Sequence, residues 1–304
     1  MTSKKEKKEK NDNNDNDYEF ELKPFSYNKI NSNDHHTIIV IGSPFSGKTC
    51  LARTILSKFK DYPRGIVISK TEHLSPCWRY HVPMSCIYND YDKDTLTPVI
   101  QAQEKAIEQE NEEIEIYGKS NKDNRFVIVM DDILTDDSLR HDKNLRTLFV
   151  NGRHYKTMLI LLLQAPITIT PIQRSCISFT CILSQNSKES KKKLFEYYCN
   201  CIDDYSDFIT IYSKATENKG ALVIHNCALT EQANNKLFWT KADPNIQFKA
   251  FSEKLWERDK LYKEKRKNNK IKKQVENLNE TKEKNKRKDS NVDIRLKTKD
   301  EQEV

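Results

Sequence analysis

No stretch of this chain reaches the ~18 consecutive apolar residues that a membrane-spanning helix requires, so no membrane span is expected. The opening residues Met1-Thr2-Ser3-Lys4-Lys5-Glu6 lack the apolar core of a signal peptide, so the protein is expected to stay in a cytosol-like compartment. None of the eight cysteines (Cys50, Cys77, Cys86, Cys176, Cys181, Cys199, Cys201 and Cys227) forms a C-x-x-C pair. Cys199-x-Cys201 has no matching pair at zinc-site spacing, so neither a structural metal nor a disulfide framework is expected. Several of these cysteines lie in apolar runs and read as buried thiols. The signature Leu-Ser-Gly-Gly-Gln of transporter ATPases is missing as well.

What is present is Gly42-Ser43-Pro44-Phe45-Ser46-Gly47-Lys48-Thr49, which fits G-x-x-x-x-G-K-[ST]. Before it stands Thr37-Ile38-Ile39-Val40-Ile41, an apolar run suited to a buried parallel strand. After it, Leu51 and Ile55 fall on one helical face. Strand, glycine loop and helix are the context in which this pattern binds phosphate. The glycines turn the backbone N–H groups inward as an anion nest, and the helix points its positive end at the same place. Lys48 offers a mobile charge to the β- and γ-phosphates of ATP, and Thr49 a hydroxyl to Mg²⁺.

Hydrolysis needs a carboxylate for the metal and a group that orients water. Phe126-Val127-Ile128-Val129-Met130 is a buried strand whose C-terminal end carries Asp131 and Asp132. That is the edge where parallel α/β sheets bind ligands. Asp131 would anchor Mg²⁺ and Asp132 would orient the water or take its proton. Met158 to Leu163 is another apolar strand, and it ends in Gln164, which can reach the γ-phosphate or the water if this strand lies between the other two. Two arginines, Arg153 in Asn151-Gly152-Arg153-His154-Tyr155 and Arg174 in Pro171-Ile172-Gln173-Arg174-Ser175, are alternatives for neutralising charge on the transferring phosphoryl.

Further apolar runs at 65–68, 85–88, 179–183 and 221–224 alternate with helical stretches at 96–117 and 137–150. The pattern predicts an α/β fold, a mostly parallel sheet with helices on both faces. Three regions are expected: a disordered charged tail at 1–33, a P-loop ATPase domain at 34–245, and a basic helical or disordered tail at 246–304. Residues 249–304 hold 19 Lys+Arg against 12 Asp+Glu, a net of +7 that equals the charge of the whole chain. This segment reads either as a contact for DNA or capsid or as a solubilising tail, its first half docking as a helix around Phe251, Leu255 and Trp256. Lys188 and Lys191-Lys192-Lys193 form a second basic cluster, read as a solvated helix face or a pore lining.

Taken together, the glycine loop, Asp131-Asp132, Gly152-Arg153-His154-Tyr155 and the strand ending in Gln164 carry a resemblance over residues 35–245. The chain resembles the DNA-packaging ATPases of nucleocytoplasmic large DNA viruses, the poxvirus-type packaging ATPase within the FtsK/HerA group of P-loop NTPases. The resemblance implies an additional-strand ATPase fold and a homo-oligomeric ring. It also implies ATP and Mg²⁺ as cofactors, sequence-independent double-stranded DNA as substrate, and viral capsid or portal components as partners. It places the protein in the host cytoplasm, at the viral factory, or in the virion. Gln164 takes the place of the γ-phosphate sensor, Arg153 that of the family's Arg-His element, and Asp132 a place often held by Glu. The alternatives are a helicase-like or replication ATPase acting on DNA, and a nucleotide-gated scaffold without significant turnover.

Overall fold

In the computed structural model the described residues are 21–91, 94–133, 141–166, 168–230, 232–265, 267–269 and 271–272. Among these residues nine strands form one sheet: β1 (Lys23–Pro24), β2 (Thr37–Ile41), β3 (Arg64–Ser69), β4 (Ile87–Tyr88), β5 (Phe126–Asp131), β6 (Thr157–Leu163), β7 (Phe179–Ile182), β8 (Gly220–His225) and β9 (Leu237–Lys241). Their order across the sheet is β1-β9-β8-β7-β2-β6-β5-β3-β4. Every pairing is parallel except those of β8 with β7 and with β9. The sheet is therefore mixed at one flank and parallel through the part that carries the motifs.

The parallel strands are apolar throughout because both faces are covered. Alternate side chains feed two separate cores. Ile39, Ile41, Ile66, Ile68, Ile128, Met130, Leu159 and Leu161 enter one. That core is closed by α2 (Thr97–Tyr117), α3 (Lys143–Asn151), α5 (Lys188–Tyr198) and α6 (Tyr205–Thr216), the short α4 (Pro171–Ser175) lying between β6 and β7. Ile38, Val40, Val67, Val127, Val129, Ile160 and Leu162 enter the other. It is closed by Leu51, Ile55 and Leu56 of α1 (Lys48–Lys58) and by the segment from Phe59 to Cys86.

The N-terminal stretch is more ordered than its composition suggests, and the C-terminal stretch begins with the docked helix that was expected. Residues 21–33 contribute β1, which pairs in parallel with β9. Phe25 and Ile30 are buried, with Phe25 edge-on to Phe179 and Phe238. A few apolar anchors in a polar stretch suffice to order it. At the other end Ala250 and Phe251 are buried, and residues 253–265 form a helix with Leu255 packed on the second core. Trp256 donates its indole N–H to the Ala250 carbonyl at 2.8 Å. Residues 1–20 and 273–304 lie outside the described residues, as do 137–140 of the expected helix at 137–150.

Candidate active site

The geometry of the site follows from strand order. β6 sits between β2 and β5, pairing in parallel with each. The C-terminal ends of these three strands therefore present the glycine loop, Gln164 and the Asp131-Asp132 pair side by side.

The loop closes tightly because its residues permit it. A Cβ at Gly42 would stand 2.4 Å from Ser46 Oγ, and Gly47 adopts φ 101°, in the left-handed region that glycine tolerates. Phe45 takes φ 62° and is 99% exposed, an aromatic side chain held out from the loop. The Ser43 hydroxyl donates to Gln185 Oε1 at 2.8 Å and accepts the Asn186 N–H at 3.2 Å. Gln185 in turn donates to the Gln164 carbonyl at 3.1 Å, which ties the loop to the ends of β6 and β7.

Lys48 is buried, and its ammonium donates to the carbonyls of Gly42 and Ser43 at 3.1 and 3.2 Å. The same Nζ lies 3.9 Å from Asp132 Oδ2. Gln164 Nε2 donates to that oxygen at 3.0 Å. Asp132 holds φ 52°, a conformation costing on the order of 1–3 kcal/mol that persists where the surroundings fix it. Lys48, Asp132 and Gln164 thus converge on one point.

Asp131 lies beside them at a different depth. It is 4% exposed and accepts from Thr49 Oγ1 at 3.2 Å and from Trp78 Nε1 at 2.8 Å. Burial, with the Asp132 charge adding, lifts its pKa to about 6, against the hydrogen bonds from Trp78 and Thr49 and the charge of Lys48. A carboxylate kept this dry and paired with a hydroxyl is a donor set suited to a hard divalent cation. Ser46 Oγ in the glycine loop and Asp132 Oδ1 are buried without a hydrogen-bond partner, which fits a polar ligand at this strand edge.

Trp78 is the neighbour of Asp131 that motif reading missed. It is fully buried, and its loop is organised by Glu72, whose carboxylate accepts the backbone N–H groups of Cys77, Trp78 and Arg79. Arg79 Nε also donates to Glu72, at 3.0 Å. These backbone and side-chain hydrogen bonds hold the Glu72 pKa below its ordinary value, against burial, the largest single influence, which acts to raise it. No spacing rule connects residue 78 to residue 131; only the fold brings them together.

The two arginines do not join this cluster. Arg153 is exposed in the turn that precedes β6, at the opposite edge of the sheet from Gln164. Seven strand residues separate the edges, about 20 Å of extended chain. Arg174 donates to the Ile169 carbonyl at 2.7 Å and stacks over Tyr197, 4.5 Å from the ring centroid. The lysines of α5 begin just after Gln185, on the edge that carries the site; Lys193 pairs with Glu189 and Lys191 lies over the Tyr212 ring.

The eight cysteines are free, with Cys86, Cys181 and Cys199 buried. Among the described residues no group of three or more His, Cys, Asp or Glu side chains could hold a metal ion, and no helix is long and apolar enough to cross a membrane.

A sheet in which one strand separates the glycine-loop strand from the acidic strand defines the class: a P-loop NTPase of the additional-strand type. Residues 22–267 match the family model described as Poxvirus A32 protein, and the chain belongs to that family. Protein L437 of Acanthamoeba polyphaga mimivirus is 26% identical over 234 residues, covering 76% of this chain and 81% of its own length. Protein 075L of Invertebrate iridescent virus 6 is 29% identical over 218 residues, with coverages of 69% and 81%. Among solved structures, the genome packaging NTPase B204 of Sulfolobus turreted icosahedral virus 2 in complex with ATPγS superposes with a TM-score of 0.45 at 14% identity. That match covers 71% of this chain and 100% of B204. The pCW3 conjugation coupling protein TcpA with ATPγS gives 0.49 at 14% identity, with coverages of 72% and 61%.

Proposed function

We propose that this protein is an ATP-hydrolysing motor that moves double-stranded viral DNA into a capsid. The observation that carries the reading is the convergence of Lys48 and Gln164 on one oxygen of Asp132 at the mouth of the glycine loop. Binding alone requires the loop and Lys48; a carboxylate and an amide held beside them are what water activation adds.

In this reading residues 42–49 cradle the phosphates of ATP, and Lys48 turns from its loop carbonyls to the β- and γ-oxygens. Thr49 and Asp131 would hold Mg²⁺, which would supply positive charge to the phosphates of ATP. Asp132 orients the attacking water and takes its proton, and Gln164 reports the presence of the γ-phosphate to β6. Family membership and the resemblance to packaging ATPases support DNA and capsid components as partners.

The position of Arg153 supports a head-to-tail ring. In such a ring each subunit offers its neighbour a surface other than the one that carries its own site. Arg153 is exposed away from its own site, so it would serve the next subunit's ATP rather than its own. Arg174, held by its own loop, is the weaker of the two assignments.

The test is Asp132→Asn. A motor retains ATP binding and loses turnover by a factor of roughly 10²–10⁴. A nucleotide-gated scaffold would keep its function in the same variant. Unwinding of a forked duplex by the wild-type protein would favour a helicase instead.

A further inference from the structure

Residues 260–272 hold seven basic side chains and one acidic one, yet the helix at 253–265 that opens this stretch is anchored by an acid. Asp259 is fully buried, accepts the Ser85 N–H at 3.3 Å and pairs with Lys263 at 2.7 Å. A buried carboxylate with these partners fixes the rotation of the helix. Lys263 and Lys267, four and eight residues further on, consequently fall on the side that faces the protein.

There they line a groove of about 560 Å³ whose other side is Arg79 and Asn89 and whose floor includes Met84 and Ile87. Lys263 and Arg79 remain 47% and 33% exposed despite their ion pairs, so their outer N–H groups face the groove. We infer that this groove holds the phosphate backbone of duplex DNA. The inference rests on the proposed motor reading and deepens it by naming where the DNA touches.

The chemistry favours phosphate. Arg79, whose Nε and Nη2 are held by the nearly buried Glu72 of the same lining, presents the rest of its guanidinium beside an amide and two ammonium groups about 6 Å apart along a helix, a set that suits a row of compact anions. Single strands are bound on successive aromatic platforms, whereas this groove offers one phenol ring, Tyr262, and one imidazole, His73, in a lining otherwise basic, amide or aliphatic apart from Glu72. The groove also connects to the ATP site through a short chain of hydrogen bonds. Arg79 is bound to Glu72, Glu72 fixes the backbone of Trp78, and Trp78 donates to Asp131. DNA drawing on Arg79 therefore acts on the loop that positions the metal-side carboxylate.

The experiment measures binding of a labelled mixed-sequence DNA duplex by anisotropy across a salt series, using the full chain. Lys267→Glu, at an exposed position, should weaken binding roughly eightfold at about 0.1 M salt and flatten the slope of log K against log salt by about 0.9 for each phosphate no longer neutralised. Lys263→Gln, with folding verified by its melting temperature, should act in the same direction. Lys214→Glu makes the same charge change at the opposite flank of the sheet, beside β8 and β9, and should leave affinity and slope near wild type. Equal effects of Lys267→Glu and Lys214→Glu, or none from either groove variant, would overturn the assignment. Stronger competition by polyglutamate than by duplex at equal charge would overturn it in favour of an acidic protein partner. ATP turnover of the same wild-type sample separates the two claims: its absence sinks the motor reading, while the binding series judges the groove.

Discussion

Replacing Asp131 with Asn should stabilise the protein at neutral pH when nucleotide and divalent metal are withheld. Asp131 is buried, and its pKa stands near 6 in the folded chain against an ordinary 3.8. Between those values the folded chain keeps a proton that the unfolded chain has released. Folding stability therefore falls as pH rises from about 4 to about 6, and it stays lowered above that window. The difference between the two pKa values corresponds to about 3 kcal/mol. Asparagine carries no charge and retains an oxygen for the Trp78 indole N–H, so it escapes this cost while giving up the carboxylate proposed to hold the metal. Urea unfolding of both proteins at a series of pH values isolates the effect as the difference between their profiles. The wild type should lose about 3 kcal/mol relative to the variant between about pH 4 and pH 7. Parallel profiles, or a variant less stable at neutral pH, would refute the claim that this carboxylate is held at a cost for function.

Other perturbations test the remaining parts of the structure. Gly65→Ala places a Cβ 2.5 Å from the Phe251 ring and 2.6 Å from Val127, so it should cost about 1–3 kcal/mol in thermal unfolding and loosen the C-terminal segment to limited proteolysis. Phe25→Ala should destabilise by about 3–5 kcal/mol if residues 21–33 belong to the fold, whereas a tail would show no change. Trp78→Phe removes the N–H that reaches Asp131; chemical unfolding should register a loss of about 1–3 kcal/mol, and the metal concentration for half-maximal turnover should rise. Gln164→Ala should leave ATP affinity near wild type in a binding titration and lower turnover by a factor of roughly 10²–10³.

The parts legible in the sequence were those in which local pattern and chemistry coincide. The run from Thr37 to Ile41, the glycine loop and α1 stand where the motif requires them, because strand, turn and helix are each specified by adjacent residues. Gln164 required one further condition, that β6 lie between β2 and β5, and the register meets it. The expected acidic strand extends by one residue, so that Asp131 closes β5 and Asp132 turns out of it. Trp78, Gln185 and Asp259 were not legible, since each acts across 53 or more residues of chain or from within a charged stretch. β1 is two residues long, and in β9 the apolar Trp239 is exposed while the polar Thr240 is buried, so residue type does not follow the strand period there. Arg153 illustrates the opposite limit. Its neighbours in sequence suggested a site residue, but the chain must run the full length of β6 before it reaches Gln164.

The central claim is that three strand ends build one half of a motor's ATP site and that the ring and its DNA complete it. ATP turnover measured with and without double-stranded DNA, over a range of protein concentrations, tests it most directly. The account predicts turnover that rises steeply with concentration as subunits assemble and is further stimulated by DNA. Turnover per subunit that is flat in concentration and indifferent to DNA would contradict it.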